Sequence, residues 1–251
     1  MRVILLTALG VGGATIIGAL IGFFFYNVSH RVNDVILSFA AGIMLAAAVI
    51  GLILPAVDSV DNSKIWLPVA GIFAGALFLN AMDRITPHLH KLSGVDIEAH
   101  EHNKKLDGAL LFMLAVAIHN LPEGMAAGVG FAGEDIHAAL TVAVGIALQN
   151  IPEGIITVSP LVMAGVKRSR AFLLAAVTGL IEVAGTFIGF YVAVVSEHIL
   201  PFALAFAGGT MLYIISDEMI PETHSHGYER VATYSLLAGF VVMLVMDTLI
   251  G

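Results

Sequence analysis

No cysteine occurs anywhere in the 251 residues. That excludes disulfides, thiolate metal sites and cysteine nucleophiles. Charge is scarce too: Asp, Glu, Lys and Arg make up 12% of the chain, about half of the ~25% usual for soluble domains. A soluble domain of this length needs a charged surface, and these residues are too few to provide one. Bases are scarcest, 11 Lys and Arg against 19 Asp and Glu for a net charge of −8. Nucleic-acid partners select basic faces, so they are excluded. Neither an H-E-x-x-H zinc-hydrolase pattern nor a phosphate-binding P-loop pattern is present. What fills the chain is apolar: 59% of its residues, with a mean hydropathy of +0.96. Disorder is thereby ruled out, and residues 1–251 read as one all-α polytopic membrane domain with lipid as its surroundings.

A helix needs about 20 mostly apolar residues to cross the hydrocarbon core. Eight stretches meet or approach that length: Val3–Tyr26, Val35–Val57, Ile65–Met82, Gly108–Gly133, Ile136–Val166, Ala171–Ser196, Ile199–Ser216 and Val231–Ile250. Their connections are short except for a loop at about residues 87–106, which holds His88, His90, His100 and His102. With eight spans both termini lie on one side. The connections opposite them carry Arg31, Arg84, Lys91, Lys104, Lys105, Lys167, Arg168, Arg170 and Arg230, whereas the terminal side carries Arg2 and Lys64. Positive charge stays in the cytoplasm. The expected protein is therefore multi-pass in the cell (inner) membrane, with both termini outside and the His-containing loop cytoplasmic. Asp58, Asp61, Glu134, Asp135 and Glu197 fall on the outer side, where they would concentrate cations.

Spans four and five hold residues that a lipid environment disfavours. Span four contains His119-Asn120-Leu121-Pro122-Glu123-Gly124, and span five repeats the pattern 30 residues later as Gln149-Asn150-Ile151-Pro152-Glu153-Gly154. Span six adds Glu182. An ionised side chain near the bilayer centre costs roughly 2.5–3.5 kcal/mol on insertion scales. These helix interiors offer no Lys or Arg, so the three carboxylates need protons or a bound cation. His119 and Glu123 are four residues apart and share a helix face, as do Gln149 and Glu153. Proline inside each helix frees a backbone carbonyl and kinks the axis, which membranes tolerate where a polar cavity is lined. Together the two faces supply nitrogen and oxygen ligands for one or two divalent cations. Without thiolate they suit Zn²⁺, Mn²⁺ or Fe²⁺ better than Cu(I). For a lone H-x-x-x-E the other reading is a polar helix–helix contact; duplication of the pattern and Glu182 favour the metal.

These residues resemble the ZIP (Zrt/Irt-like protein) family of divalent-metal transporters, especially its bacterial members. The likeness runs through the eight spans, the His-bearing loop and the twin motifs. It implies a transporter, not an enzyme, with kinked helices four and five forming a mid-membrane site. One metal would be held by His119, Glu123, Gln149 and Glu153. A second would use Asn120, Asn150 and Glu182, with Glu123 and Glu153 bridging. Met44 of span two would border the first metal, and Ala47, Gly51 and Asp58 would continue that face toward the outside. The chain departs from the family in two places. Asn150 stands where some relatives carry Asp, which weakens a tightly held second metal, and Gln149 replaces a His, which makes the site more permissive.

The exit would pass Asp217, Glu218, Glu222 and His224, at the inner end of span seven. Zinc is the first expectation as the transported ion, with Cd²⁺, Fe²⁺ and Mn²⁺ as alternatives. The ligands would equally suit an intramembrane zinc hydrolase or a passive divalent-cation channel. The sequence is compatible with a homodimer and says nothing further about assembly.

Overall fold

The computed structural model describes residues 1–92, 104–133, 135–195 and 199–250. Among the described residues the regular structure is entirely helical. Eight long helices follow one another: α1 (Arg2–Phe24), α2 (His30–Asp58), α3 (Trp66–Leu92), α4 (Lys104–Val129), α5 (Ile136–Met163), α6 (Arg168–Val194), α7 (Leu200–Thr223) and α8 (Glu229–Ile250). Seven contain stretches long and apolar enough to cross a membrane; α4, at 26 residues, packs among them.

The helices are built inside out relative to a soluble bundle. On α1 the buried face is Thr7, Ala8, Val11, Gly12, Thr15, Gly18 and Gly22, while Leu5, Leu6, Leu9, Ile17 and Leu20 are exposed. The same inversion marks Trp66, Phe73 and Leu77 of α3, and Leu173, Val177 and Leu180 of α6. Hydrocarbon solvates large apolar side chains as well as a core does. Small residues therefore go to the helix contacts, where they let backbones approach. The molecule is a polytopic membrane protein.

Glycines set which helices touch. A Cβ at Gly18 would collide with Ile151 of α5, one at Gly128 with Thr186 of α6, one at Gly42 with Leu236 of α8, and one at Gly75 with Phe206 of α7. The pairs α1–α5, α4–α6, α2–α8 and α3–α7 are thus held backbone to backbone. Contacts further join α1 to α6 and α4 to α5, and α7 to α2. Glycine packing thus gathers α1, α4, α5 and α6 in one group and α2, α3, α7 and α8 in another, with α2 against α5 joining the two. Where they meet, glycines face side chains instead: Gly51 faces Val142, and Gly145 faces Met243.

Several boundaries differ from the hydropathy reading. Helix α2 begins at His30, so Asp34 lies inside it. Helix α7 runs to Thr223, which places Asp217, Glu218 and Glu222 on the helix itself rather than in a connection. The expected loop at about 87–106 is helical at both ends, through Leu92 and from Lys104; His100 and His102 lie outside the described residues. Helices α4 and α5 continue through Pro122 and Pro152. The wide π-helical turns occur in α2 (Ala47–Ile53) and α7 (Ile215–Met219), each just before a proline, Pro55 or Pro221. An extra residue in the turn accommodates a proline that cannot donate, and such bulges gather at functional positions.

Candidate metal centre

Close packing of α4 on α6 decides where Glu182 goes. Gly124 and Gly128 meet the α6 backbone, while Gly185 and Gly189 meet that of α4. Asn120, one turn before Gly124, therefore reaches across and its amide nitrogen donates to Glu182 Oε1. Asn150 of α5 donates to Glu182 Oε2 at 2.6 Å. Thr15 of α1 completes the ring, its hydroxyl 2.7 and 2.8 Å from the two oxygens. Three helices thus hold one fully buried carboxylate. Thr15 was not among the expected site residues. Its signal was a hydroxyl in the small-residue stripe of span one, and that stripe alone reads as packing. Thr15→Val keeps the shape and removes the donor. It is expected to cost about 1.5–3 kcal/mol, the value of a hydrogen bond to a charged group, read as a lowered melting temperature in detergent. An unchanged melting temperature would mean that Thr15 does not hold Glu182.

Beside this anchored carboxylate lies a set of atoms with nothing to bind. Asn120 Oδ1, Glu123 Oε2 and Gln149 Oε1 are buried and lack hydrogen-bond partners. All three are acceptors. The amide nitrogen of Asn120 is taken by Glu182, and that of Gln149 lies 3.2 Å from Asn150 Oδ1. Glu123 is 1% exposed and within electrostatic range of Glu153, Glu182 and Glu218. Buried acceptor oxygens without a donor, set among three further carboxylates, are what a cation would satisfy.

Glu153 is half-buried and, with His119 and Glu123, lines a cavity of about 1160 Å³. The cavity opens at the end of the bundle where α2 starts and α5 and α7 finish. Asp217, Glu218 and Glu222 line its walls, and no Lys or Arg is among its lining residues. His119 Nε2 stands 2.9 Å from Glu218 Oε1, so the expected site and the expected exit are in direct contact. His224 is turned elsewhere. Its Nδ1 lies 2.8 Å from the Ile220 carbonyl and its Nε2 3.2 Å from Thr233 of α8, where it fastens the end of α7 to α8 instead of lining the cavity.

At the opposite end the expected entrance is packed. Met44 and Ala47 are buried in the apolar core, and Gly51 rests against Val142. Asp58 is exposed and lines a separate pocket of about 590 Å³ with Asp61 and Lys64. Asp135 caps α5, accepting from the backbone of His137 and Ala138 at 2.9 and 3.0 Å. Glu134 and Glu197 lie outside the described residues. Among the described residues no three His, Asp or Glu side chains are already gathered round a point that could hold an ion. Three of the expected ligands, Asn120, Gln149 and Asn150, are amides, and His119 is drawn toward Glu218.

Residues 95–247 match the family model described as ZIP Zinc transporter. The chain is 40% identical over 255 residues to zinc transporter GufA of Myxococcus xanthus, covering 98% of each. It is 37% identical to zinc transporter ZIPB of Bordetella bronchiseptica, covering 95% of this chain and 78% of that one. Zinc transporter ZupT of Streptococcus mutans is 30% identical across 96% of this chain and 94% of its own length.

Proposed function

The chain belongs to the ZIP zinc-transporter family, whose members are transporters and not enzymes, and on that premise we propose that it carries divalent metal, zinc foremost, into the cytoplasm. The observation that carries this reading is the trio of buried acceptors, Asn120 Oδ1, Glu123 Oε2 and Gln149 Oε1. Of their residues Glu123 lines the carboxylate-bearing cavity, together with His119 and Glu153. His119, Glu123, Gln149 and Glu153 hold the transported ion. Asn120, Asn150 and Glu182 form a second position, which takes an ion only if the two amides turn their oxygens toward it. In the hydrogen-bonded arrangement Glu182 instead anchors α1, α4 and α5.

The open cavity faces the cytoplasm, and the packed Met44–Gly51 face closes the outside. This is the state from which an ion leaves, so a dispersed ligand set fits it: His119 has swung to Glu218, and the ion steps on to Asp217, Glu218 and Glu222. Access alternates as one group of four helices moves against the other. Supporting this, backbone-to-backbone glycine contacts lie within the groups, whereas side chains such as Val142 and Met243 meet glycines between them. Entry from outside passes Asp58, Gly51 and Ala47.

Purified protein in vesicles is expected to take up zinc-65 saturably, with Cd²⁺, Mn²⁺ and Fe²⁺ competing. Uptake no faster than in protein-free vesicles would overturn the proposal, and single-channel currents would replace the carrier by a channel. The absence of native cysteine gives a background-free test of orientation. In intact cells Asp58→Cys should react with a membrane-impermeant maleimide, whereas Met163→Cys, 64% exposed on the cavity wall, should react only after permeabilisation. The reverse pattern would invert the protein in the membrane.

A further inference from the structure

Beside His30 and Glu222, which line the same cavity, His226 makes contacts that the transport path above does not use. It follows the end of α7, and its Nδ1 stands 3.0 Å from Oδ1 of Asp34 on α2. Its ring stacks on His30 with centroids 4.6 Å apart, and its Nε2 lies 3.9 Å from Glu222 Oε1. A carboxylate only accepts, so Nδ1 carries the hydrogen. The lone pair of the neutral ring is then on Nε2, the nitrogen nearer Glu222. Asp34 is fully buried, and its Oδ2 has no hydrogen-bond partner. A carboxylate removed from water is costly unless paired, and the imidazole is what it pairs with here. A buried carboxylate on one nitrogen of a histidine whose other nitrogen faces a second carboxylate is the arrangement that orients a metal ligand.

We propose that His226 Nε2 and Glu222 form a divalent-metal site beside the cavity, aimed by Asp34 and separate from the transport site. Zinc bonds to nitrogen and carboxylate oxygen are about 2.0–2.2 Å long. The 3.9 Å gap therefore admits an ion, and Glu222, with its side chain 58% exposed, is free to close on it. Two protein ligands, completed by water, make a weak and rapidly exchanging site. Glu218 touches His119 and stands one helical turn before Glu222, so the site ends a continuous series of ligands. Its role as the landing place of the outgoing ion rests on the transport reading; its capacity to bind does not.

Equilibrium dialysis of zinc-65 against the purified full-length protein tests this, with Glu123→Ala as background to remove the transport site. That variant is expected to keep a weak class of sites. One equivalent should disappear in Glu123→Ala/His226→Ala and again in Glu123→Ala/Glu222→Gln, the latter at an exposed position where folding is unaffected. Asp34→Asn in the same background should weaken that equivalent about 10- to 100-fold. If both double variants bind as many ions at the same affinity as Glu123→Ala alone, no site exists at His226. An Asp34→Asn variant that melts at a lower temperature yet binds zinc unchanged would make Asp34 a structural partner and overturn the aiming. Zinc bound here by a protein that transports none would sink the transport reading and leave this site standing. Normal transport without the weak equivalent would do the opposite.

Discussion

Replacing Glu123 with alanine is expected to lower zinc uptake into vesicles to the protein-free background. The loss should be at least about 100-fold, above the 10- to 100-fold typical when a residue behind a metal ligand is removed. The expectation follows from position. Glu123 is buried, shares the α4 face with His119, has Gln149 and Glu153 as neighbours, and keeps one oxygen, Oε2, without a hydrogen-bond partner. With Glu153 it is one of the two carboxylates proposed to touch an ion in either position of the site, and of the two it is the more deeply buried. Stability should move the other way. Glu123 is fully buried with Glu153, Glu182 and Glu218 around it, so Glu123→Gln, which keeps the shape and removes the ionisable group, should melt no lower than wild type in detergent. Active sites commonly gain stability when a buried functional group is replaced by a neutral isostere. Full transport by Glu123→Ala would end the ligand assignment, and a large drop in melting temperature would show that the carboxylate instead holds the fold together.

Gly124→Ala should have the second largest effect, and through geometry alone. A Cβ there would stand 2.9 Å from Glu182 Cα and closer still to its carbonyl oxygen. Both belong to helix backbone, which cannot step aside as a flexible side chain would. Helices α4 and α6 must separate, and the Asn120–Glu182 hydrogen bond lies one turn away. Overpacking of this kind costs about 1–3 kcal/mol. A ligand set displaced by about 1 Å is expected to lose roughly 10-fold or more in transport. Gly13→Ala is the control, because nothing lies within 4 Å of a Cβ at that position. Equal melting temperatures and uptake rates for the two variants would contradict the packing account.

Much of the site could be read from residue order, and what could not has identifiable causes. His119, Glu123, Gln149 and Glu153 are legible because helix spacing puts each pair on one face, and because carboxylates among apolar residues stand out. Asp34 was hidden by a boundary. Hydropathy starts span two at Val35, five residues after the helix begins at His30, and so assigns the acid to a connection. His224 and His226 look alike in the sequence, two positions apart at a helix end. Only the fold turns one to Thr233 of α8 and the other to Asp34 of α2.

By itself the sequence determined the class of the protein, the eight spans and the twin Asn-x-Pro-Glu-Gly motifs, since the bilayer judges each stretch of about 20 residues separately. Tertiary structure decided which carboxylate is anchored and which is left needing a cation. Thr15 and Glu182 are 167 residues apart, Asp34 and His226 192. No local pattern encodes those distances; they come from glycine contacts that draw particular helices together. That packing satisfies Glu182 with three donors and leaves acceptor oxygens of Asn120, Glu123 and Gln149 buried without a partner.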